Sequence, residues 1–136
     1  MAGKMSEGCQ IVLVDADGRV LLQLRDEKDW IPFPGMWALP GGMREGGESP
    51  DECIRREVSE EMGSELAADD VTHLWSRVRS YGIEHTFTAR VDVAAEDIRL
   101  TEGQQVRWFH PSDAVRMSLA YEDNAVLAEF SQTQGP

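Results

Sequence analysis

The reading of this chain turns on one stretch, Gly42-Met43-Arg44-Glu45-Gly46-Gly47-Glu48-Ser49-Pro50-Asp51-Glu52-Cys53-Ile54-Arg55-Arg56-Glu57-Val58-Ser59-Glu60-Glu61-Met62-Gly63. Its second half carries the start and stop signals of a single helix. Ser49 can cap it, Pro50 suits the first helical position, Glu52 completes a capping box, and Gly63 stops it. Advancing about 100° per residue from Cys53 puts Glu57 near 40°, Glu60 near 340° and Glu61 near 80°, with Ile54, Val58 and Met62 at roughly 100° to 180°. Three carboxylates therefore share one face, beside an apolar stripe that presses the helix onto other structure. Like charges at i, i+3 and i+4 repel by a few tenths of a kcal/mol per pair in water, and by more when partly desolvated. A divalent cation removes that conflict. Oxygen-only ligands favour a hard ion, Mg²⁺ rather than zinc, with Mn²⁺ able to replace it. The plainer alternative is a solvated acidic face paired with Arg55 and Arg56.

Working outward, Leu39-Pro40-Gly41-Gly42 and the loop to Glu48 form a glycine-rich turn that brings backbone groups close to a ligand at the helix entrance. Gln10 to Val14 and Val20 to Leu24 are apolar runs around Asp15-Ala16-Asp17-Gly18, which predicts a hairpin. Asp26 to Gly35 carries two prolines among charges and aromatics, as a rigid exposed loop would, and Trp37 to Leu39 reads as a brief strand. Thr72 to Ser80 and Ile83 to Val93 alternate around Tyr81-Gly82 as a second hairpin, and Val106 to Phe109 is a further strand. A helical turn follows Pro111. Glu122 to Phe130 has amphipathic spacing, with Val126, Leu127 and Phe130 inward. The fold class is α/β: a mixed sheet sandwiched between helices, with a loop-helix-loop at its centre.

The chain has 136 residues, enough for one domain with its own core. Residues 1–8 read as a disordered leader and 9–132 as the single domain. No apolar run approaches the roughly 18 residues that a membrane-spanning helix needs, and no secretory signal opens the chain, so a cytoplasmic location with no membrane partner is expected. The formal charge of −12 opposes binding to a nucleic acid polymer. A small phosphate-bearing ligand is compatible with that charge if metal ions mediate the contact. Cys9 and Cys53 read as reduced core thiols. His73, His85 and His110 lack the spacing of a metal or nucleophile system, and the serines near them suggest no triad.

With loop and helix taken together, the sequence resembles the Nudix hydrolase family. Its signature is met at Gly42, Glu48, Arg56, Glu57, Val58, Glu60, Glu61 and Gly63; only Ser64, where an aliphatic residue is usual, departs. The resemblance implies a Nudix fold and metal-dependent hydrolysis of a nucleoside diphosphate derivative by water attack on phosphorus. It implies Glu57, Glu60 and Glu61 as metal ligands, with Glu57 as ligand or base. Arg56 would hold a neighbouring carboxylate, Glu48 would orient the helix or a water, and the carbonyl of Gly41 would be a further ligand. Glu102 resembles the downstream Glu of antimutator-type members, an extra ligand or base.

For the small nucleotide substrate, Arg25 at a strand end is a candidate phosphate ligand. Trp30, Phe33 and Trp37 are candidates to stack a nucleobase, with core packing as their alternative. Asp123 and Asn124 sit near the place where antimutator members read an oxidised guanine. The expected reaction is hydrolysis of a nucleoside triphosphate, including an oxidised one such as 8-oxo-dGTP, to monophosphate and pyrophosphate. Dinucleoside polyphosphates, whose hydrolases have a spacing similar to that of Tyr81, ADP-ribose and nucleotide sugars are alternative substrates. A noncatalytic nucleotide-binding module is the rival class. Either a monomer or a homodimer is compatible with the sequence.

Overall fold

A computed structural model of the chain describes residues 6–80 and 82–133. The strands are β1 (Glu7–Val14), β2 (Val20–Leu24), β3 (Trp37–Ala38), β4 (Gly41–Met43), β5 (Val71–Arg79), β6 (Gly82–Arg90) and β7 (Gln105–Phe109). The helices are α1 (Pro50–Met62), α2 (Pro111–Ala114) and α3 (Asp123–Thr133), with short 3₁₀ turns at Ala68–Asp70 and Ala95–Asp97. All seven strands join one sheet, ordered β3-β2-β1-β6-β5, with β4 on β1 and β7 on β2. β1 and β6 run parallel and the other pairs antiparallel, which is the expected mixed sheet.

Alternation along β1 sorts its residues between two cores. Cys9, Ile11 and Leu13 meet Cys53, Ile54, Val58 and Met62 of α1. Val12, with Val20 and Leu22, meets Val126, Leu127 and Phe130 of α3. One helix thus covers each face. The capping box forms as expected, with Glu52 N donating to Ser49 Oγ at 3.1 Å and Ser49 N to Glu52 Oε1 at 2.7 Å. Gly63 closes α1 in the left-handed region, φ 70°.

Two readings change. β1 begins at Glu7, so the end of the presumed leader, residues 7 and 8, belongs to the sheet; residues 1–5 lie outside the described residues. The glycine turn is partly a strand, because Gly8, Cys9 and Gln10 pair with Met43, Gly42 and Gly41. Its lack of side chains hid it from a pattern that relies on alternation. Tyr81 lies outside the described residues.

Candidate active site

Arg56 is the hub of the acidic helix face. Its guanidinium spends all five N–H donors: Nε and one terminal nitrogen on Glu48 at 3.0 and 2.8 Å, and the others on Glu57 Oε1 at 2.9 Å, Glu60 Oε2 at 3.1 Å and the Met43 carbonyl at 3.1 Å. The paired bond from Arg56, helped by the Glu45 amide, holds Glu48 down to about 2. One cation therefore ties the glycine loop to two of the predicted carboxylates.

Glu61 has no such partner. It is buried, and its carboxyl lies within hydrogen-bond reach of those of Glu57 and Glu102. Burial first, and these neighbours second, push it up to about 9. Glu102 comes from far along the chain because its loop is fastened to the end of α1: Thr101 N donates to the Glu61 carbonyl at 3.0 Å and Thr101 Oγ1 to that of Glu60 at 2.8 Å. Glu57, Glu61, Glu102 and Gly41 line one cleft of about 360 Å³, together with Arg25 and Lys28. Glu60 stands at the margin, its side chain 60% exposed and turned to Arg56.

These residues fit a hard divalent cation. The donor set is all oxygen, and a cation among Glu57, Glu61 and Glu102 would relieve the crowding that now keeps the buried Glu61 carboxyl protonated. Gly42 also belongs to the fit, since a Cβ there would stand 2.3 to 2.5 Å from the Glu57 carboxyl atoms. Among the described residues no three acidic, His or Cys side chains stand together so as to hold an ion, and Glu57 and Glu60 are both hydrogen-bonded to Arg56.

A second cavity of about 170 Å³ adjoins the cleft across Arg25, Leu39, Gly41, Gly42 and Met43. Asp123 lies deep in its wall. One carboxylate oxygen accepts from Leu39 N at 2.9 Å; the other is buried with no partner. Burial pushes Asp123 up to about 7. Gln10 and Glu84 line the same cavity, hydrogen-bonded to each other at 3.0 Å. Neither stood out in the sequence. The one available signal was a glutamine in an otherwise apolar strand.

Other expected residues fall differently. Arg25 lines both cavities, with its guanidinium 5.4 Å from the Tyr121 ring centroid. Phe33 packs on that same ring at 4.6 Å and is otherwise exposed. Trp37 lines neither cavity: it packs edge-on to Phe109 at 5.1 Å within the α3-side core, so it fills space rather than offering a face. Asn124 is also spent internally, its amide nitrogen on the Val115 and Met117 carbonyls and its oxygen on Leu119 N. Ser76 and His85 do come together, because they are cross-strand partners; Ser76 Oγ lies 2.6 Å from His85 Nδ1, and His85 Nε2 lies 2.9 Å from Glu7 Oε1. Strand register, invisible in spacing along the chain, makes that contact.

Among known proteins, the NUDIX domain model matches residues 7–132. Nucleoside triphosphatase NudI of Salmonella agona is 43% identical over 134 residues, covering 85% of this chain and 90% of that protein. The NudI of Salmonella schwarzengrund is 38% identical over 140 residues, covering 90% and 88%. The solution structure of the E. coli ORF135 protein superposes with a TM-score of 0.73 at 27% identity, covering 97% of this chain and 92% of that one. The NUDIX domain of Shewanella oneidensis NrtR, solved with ADP ribose, gives 0.78 at 20% identity, over 98% and 90%. No helix among the described residues is long and apolar enough to cross a membrane. With its loop, its acidic helix and its sheet all in the family's arrangement over nearly the whole length, the chain belongs to the NUDIX domain family and is a Nudix hydrolase.

Proposed function

We propose that the chain hydrolyses a nucleoside triphosphate, including one with an oxidised base, to the monophosphate and pyrophosphate with Mg²⁺, for which Mn²⁺ can substitute. The observation that carries this reading is the adjacency of an acidic cleft to a pocket whose deep wall holds an unpartnered carboxylate oxygen. One suits a phosphate chain with its cations, the other a nucleobase edge. The name of the NudI relatives supports the triphosphate.

Glu57, Glu60 and Glu61, with Glu102 and the Gly41 carbonyl, would hold the ions. Bound there, divalent cations neutralise charge on the phosphoryl oxygens and make a nearby water more acidic. Glu57, at the cleft wall and 13% exposed, would serve either as such a ligand or as the base that takes the proton of the attacking water. Glu48 and Arg56 keep the acidic face in place. Arg25 meets phosphate oxygens at the junction of the two cavities. The Asp123 oxygen accepts a hydrogen bond from an amino or imino group of the base, while Phe33 and Tyr121 form a wall beside it.

The test is release of pyrophosphate or monophosphate from 8-oxo-dGTP, ordinary nucleoside triphosphates, dinucleoside polyphosphates, ADP-ribose and nucleotide sugars, with Mg²⁺ and with chelator. A triphosphate is expected to have the highest kcat/KM, and only with the metal. A preference for ADP-ribose or a nucleotide sugar would overturn the substrate, and turnover unaffected by chelator would overturn the metal.

A further inference from the structure

Residues outside the helix and its loop converge on that loop from the sheet. Glu7, at the start of β1, meets Arg44 twice: Arg44 N donates to the Glu7 carbonyl at 2.9 Å, and the Arg44 guanidinium donates to Glu7 Oε2 at 2.5 Å. Another nitrogen of the same guanidinium donates to the Glu48 carbonyl at 2.8 Å. Arg44 thus spans the loop from its first to its last residue, and Glu48 at the far end grips Arg56. Arg44 Nε is buried without a partner, so the cation depends on Glu7 for compensation.

Glu7 is itself held. Hydrogen bonds from His85 and then Arg44 keep its carboxyl below the usual carboxylate range, so it is ionised and only accepts. His85 Nε2 must therefore donate to it. When His85 is neutral, its Nδ1 accepts from Ser76, whose oxygen in turn accepts from His73 Nε2 at 2.8 Å. The carboxylate is oriented from behind by two strands of the sheet.

We propose that Glu7 and Arg44 form a strap that holds the catalytic loop in register with α1, making both of them positioning residues for hydrolysis, with His85 and Ser76 as the anchor of Glu7. The strap rests on the reading of the cleft as the hydrolytic site, but its mechanical part does not. Arg44 reaches the reacting groups only through Glu48 and Arg56, so its loss misplaces Glu57 and Glu60 without removing a ligand.

Amide hydrogen exchange of the metal-free full chain tests the mechanical part. The bonds to follow are Glu45 N to Glu48 Oε1, at 2.7 Å, and Glu48 N to the Glu45 carbonyl, at 3.2 Å. In Glu7→Gln, exchange at these amides rises at least about tenfold, since one charge-assisted contact is gone. Turnover with Mg²⁺ then shows kcat down about tenfold and KM within about twofold, the pattern of a misplaced reactive group rather than weakened binding. Arg44→Lys keeps the charge but lacks the planar fork whose two nitrogens meet Glu7 and Glu48, and it shows the same pattern more weakly. Arg44→Gln combined with Glu7→Gln is no worse than the poorer single variant, because both cut one strap. As a control, Arg55→Gln, which breaks the half-buried pair with Asp51 on the far side of Arg56, leaves exchange and kcat unchanged. Unchanged loop exchange in both Glu7→Gln and Arg44→Lys overturns the strap, as does a loss expressed in KM alone. A wild-type chain that hydrolyses no nucleotide removes the reading of the cleft and leaves exchange to decide the strap.

Discussion

The cleft and the pocket beside it each hold a buried carboxyl that has moved upward, yet the two differ in company. Glu61 stands among other acids, Glu57 and Glu102, with Arg56 already committed elsewhere. Asp123 has one oxygen satisfied by Leu39 N and the other buried without a partner, with the charges of Glu84, Arg25 and Arg79 acting on it in opposing senses. The first arrangement is relieved by a cation. The second is relieved by a neutral hydrogen-bond donor, because its problem is an unmade bond more than accumulated charge. Similar burial would therefore suit two different chemistries, according to the neighbours.

The sharpest way to break this contrast is to neutralise the crowded end. Glu57→Gln is expected to lower kcat at least about 10²-fold in a pyrophosphate-release assay with Mg²⁺, as loss of a group acting on the reacting centre does. A residual rate within tenfold would falsify its role. Next in size is Gly42→Ala. The added Cβ collides with the tip of the flexible Glu57 side chain rather than with backbone, so the fold tolerates it while the carboxylate moves. Activity falls about tenfold or more, with the thermal midpoint shifted by only a few degrees. A collapse in stability would show that the contact is structural.

At the Asp123 end the effect is one of choice rather than rate. Asp123→Asn keeps an oxygen for Leu39 N and turns an amide donor toward the pocket. Comparing kcat/KM for bases with and without an exocyclic amino group, the variant shifts the ratio against amino-bearing bases by about tenfold. An unchanged ratio removes Asp123 from base selection.

The smallest effect concerns pH. Asp123 titrates near 7 in the fold against an ordinary 3.8, so between those values the folded chain keeps a proton that the unfolded chain has lost. Its contribution to stability is full below the lower value and is lost as pH rises through the upper one. The stability of wild type relative to Asp123→Asn, from urea unfolding at about pH 5 and about pH 8, therefore falls with rising pH. A difference independent of pH would mean that Asp123 has the same affinity for protons folded and unfolded.

The acidic end was legible because local rules write it: a capping box, a helical period and glycines at fixed spacing act over a few residues, and their geometry follows from 3.6 residues per turn. The pocket was legible only in part. Asp123 appeared through a resemblance, but Gln10 and Glu84 come from parallel strands far apart in sequence, and only the register of β1 on β6 sets them side by side. The same cause hid Ser76, His85 and Glu7, whereas Trp37 and Asn124 are spent elsewhere. An aromatic or an amide at a suitable position says nothing of whether its face or its donors are already spent. Asn124 had filled its bonds by capping the turn before α3, and Trp37 had joined the core.

β4 has a consequence for the shape of any ligand. At Gly41 and Gly42 the wall between cleft and pocket is bare main chain, and an added Cβ at either would collide, with the Cys9 carbonyl in one case and Glu57 in the other. The partition is thus as thin as a polypeptide can make it. On the proposed reading, a ligand astride that sill would have its two ends separated by the width of one strand, and one too short to straddle it would engage only one side.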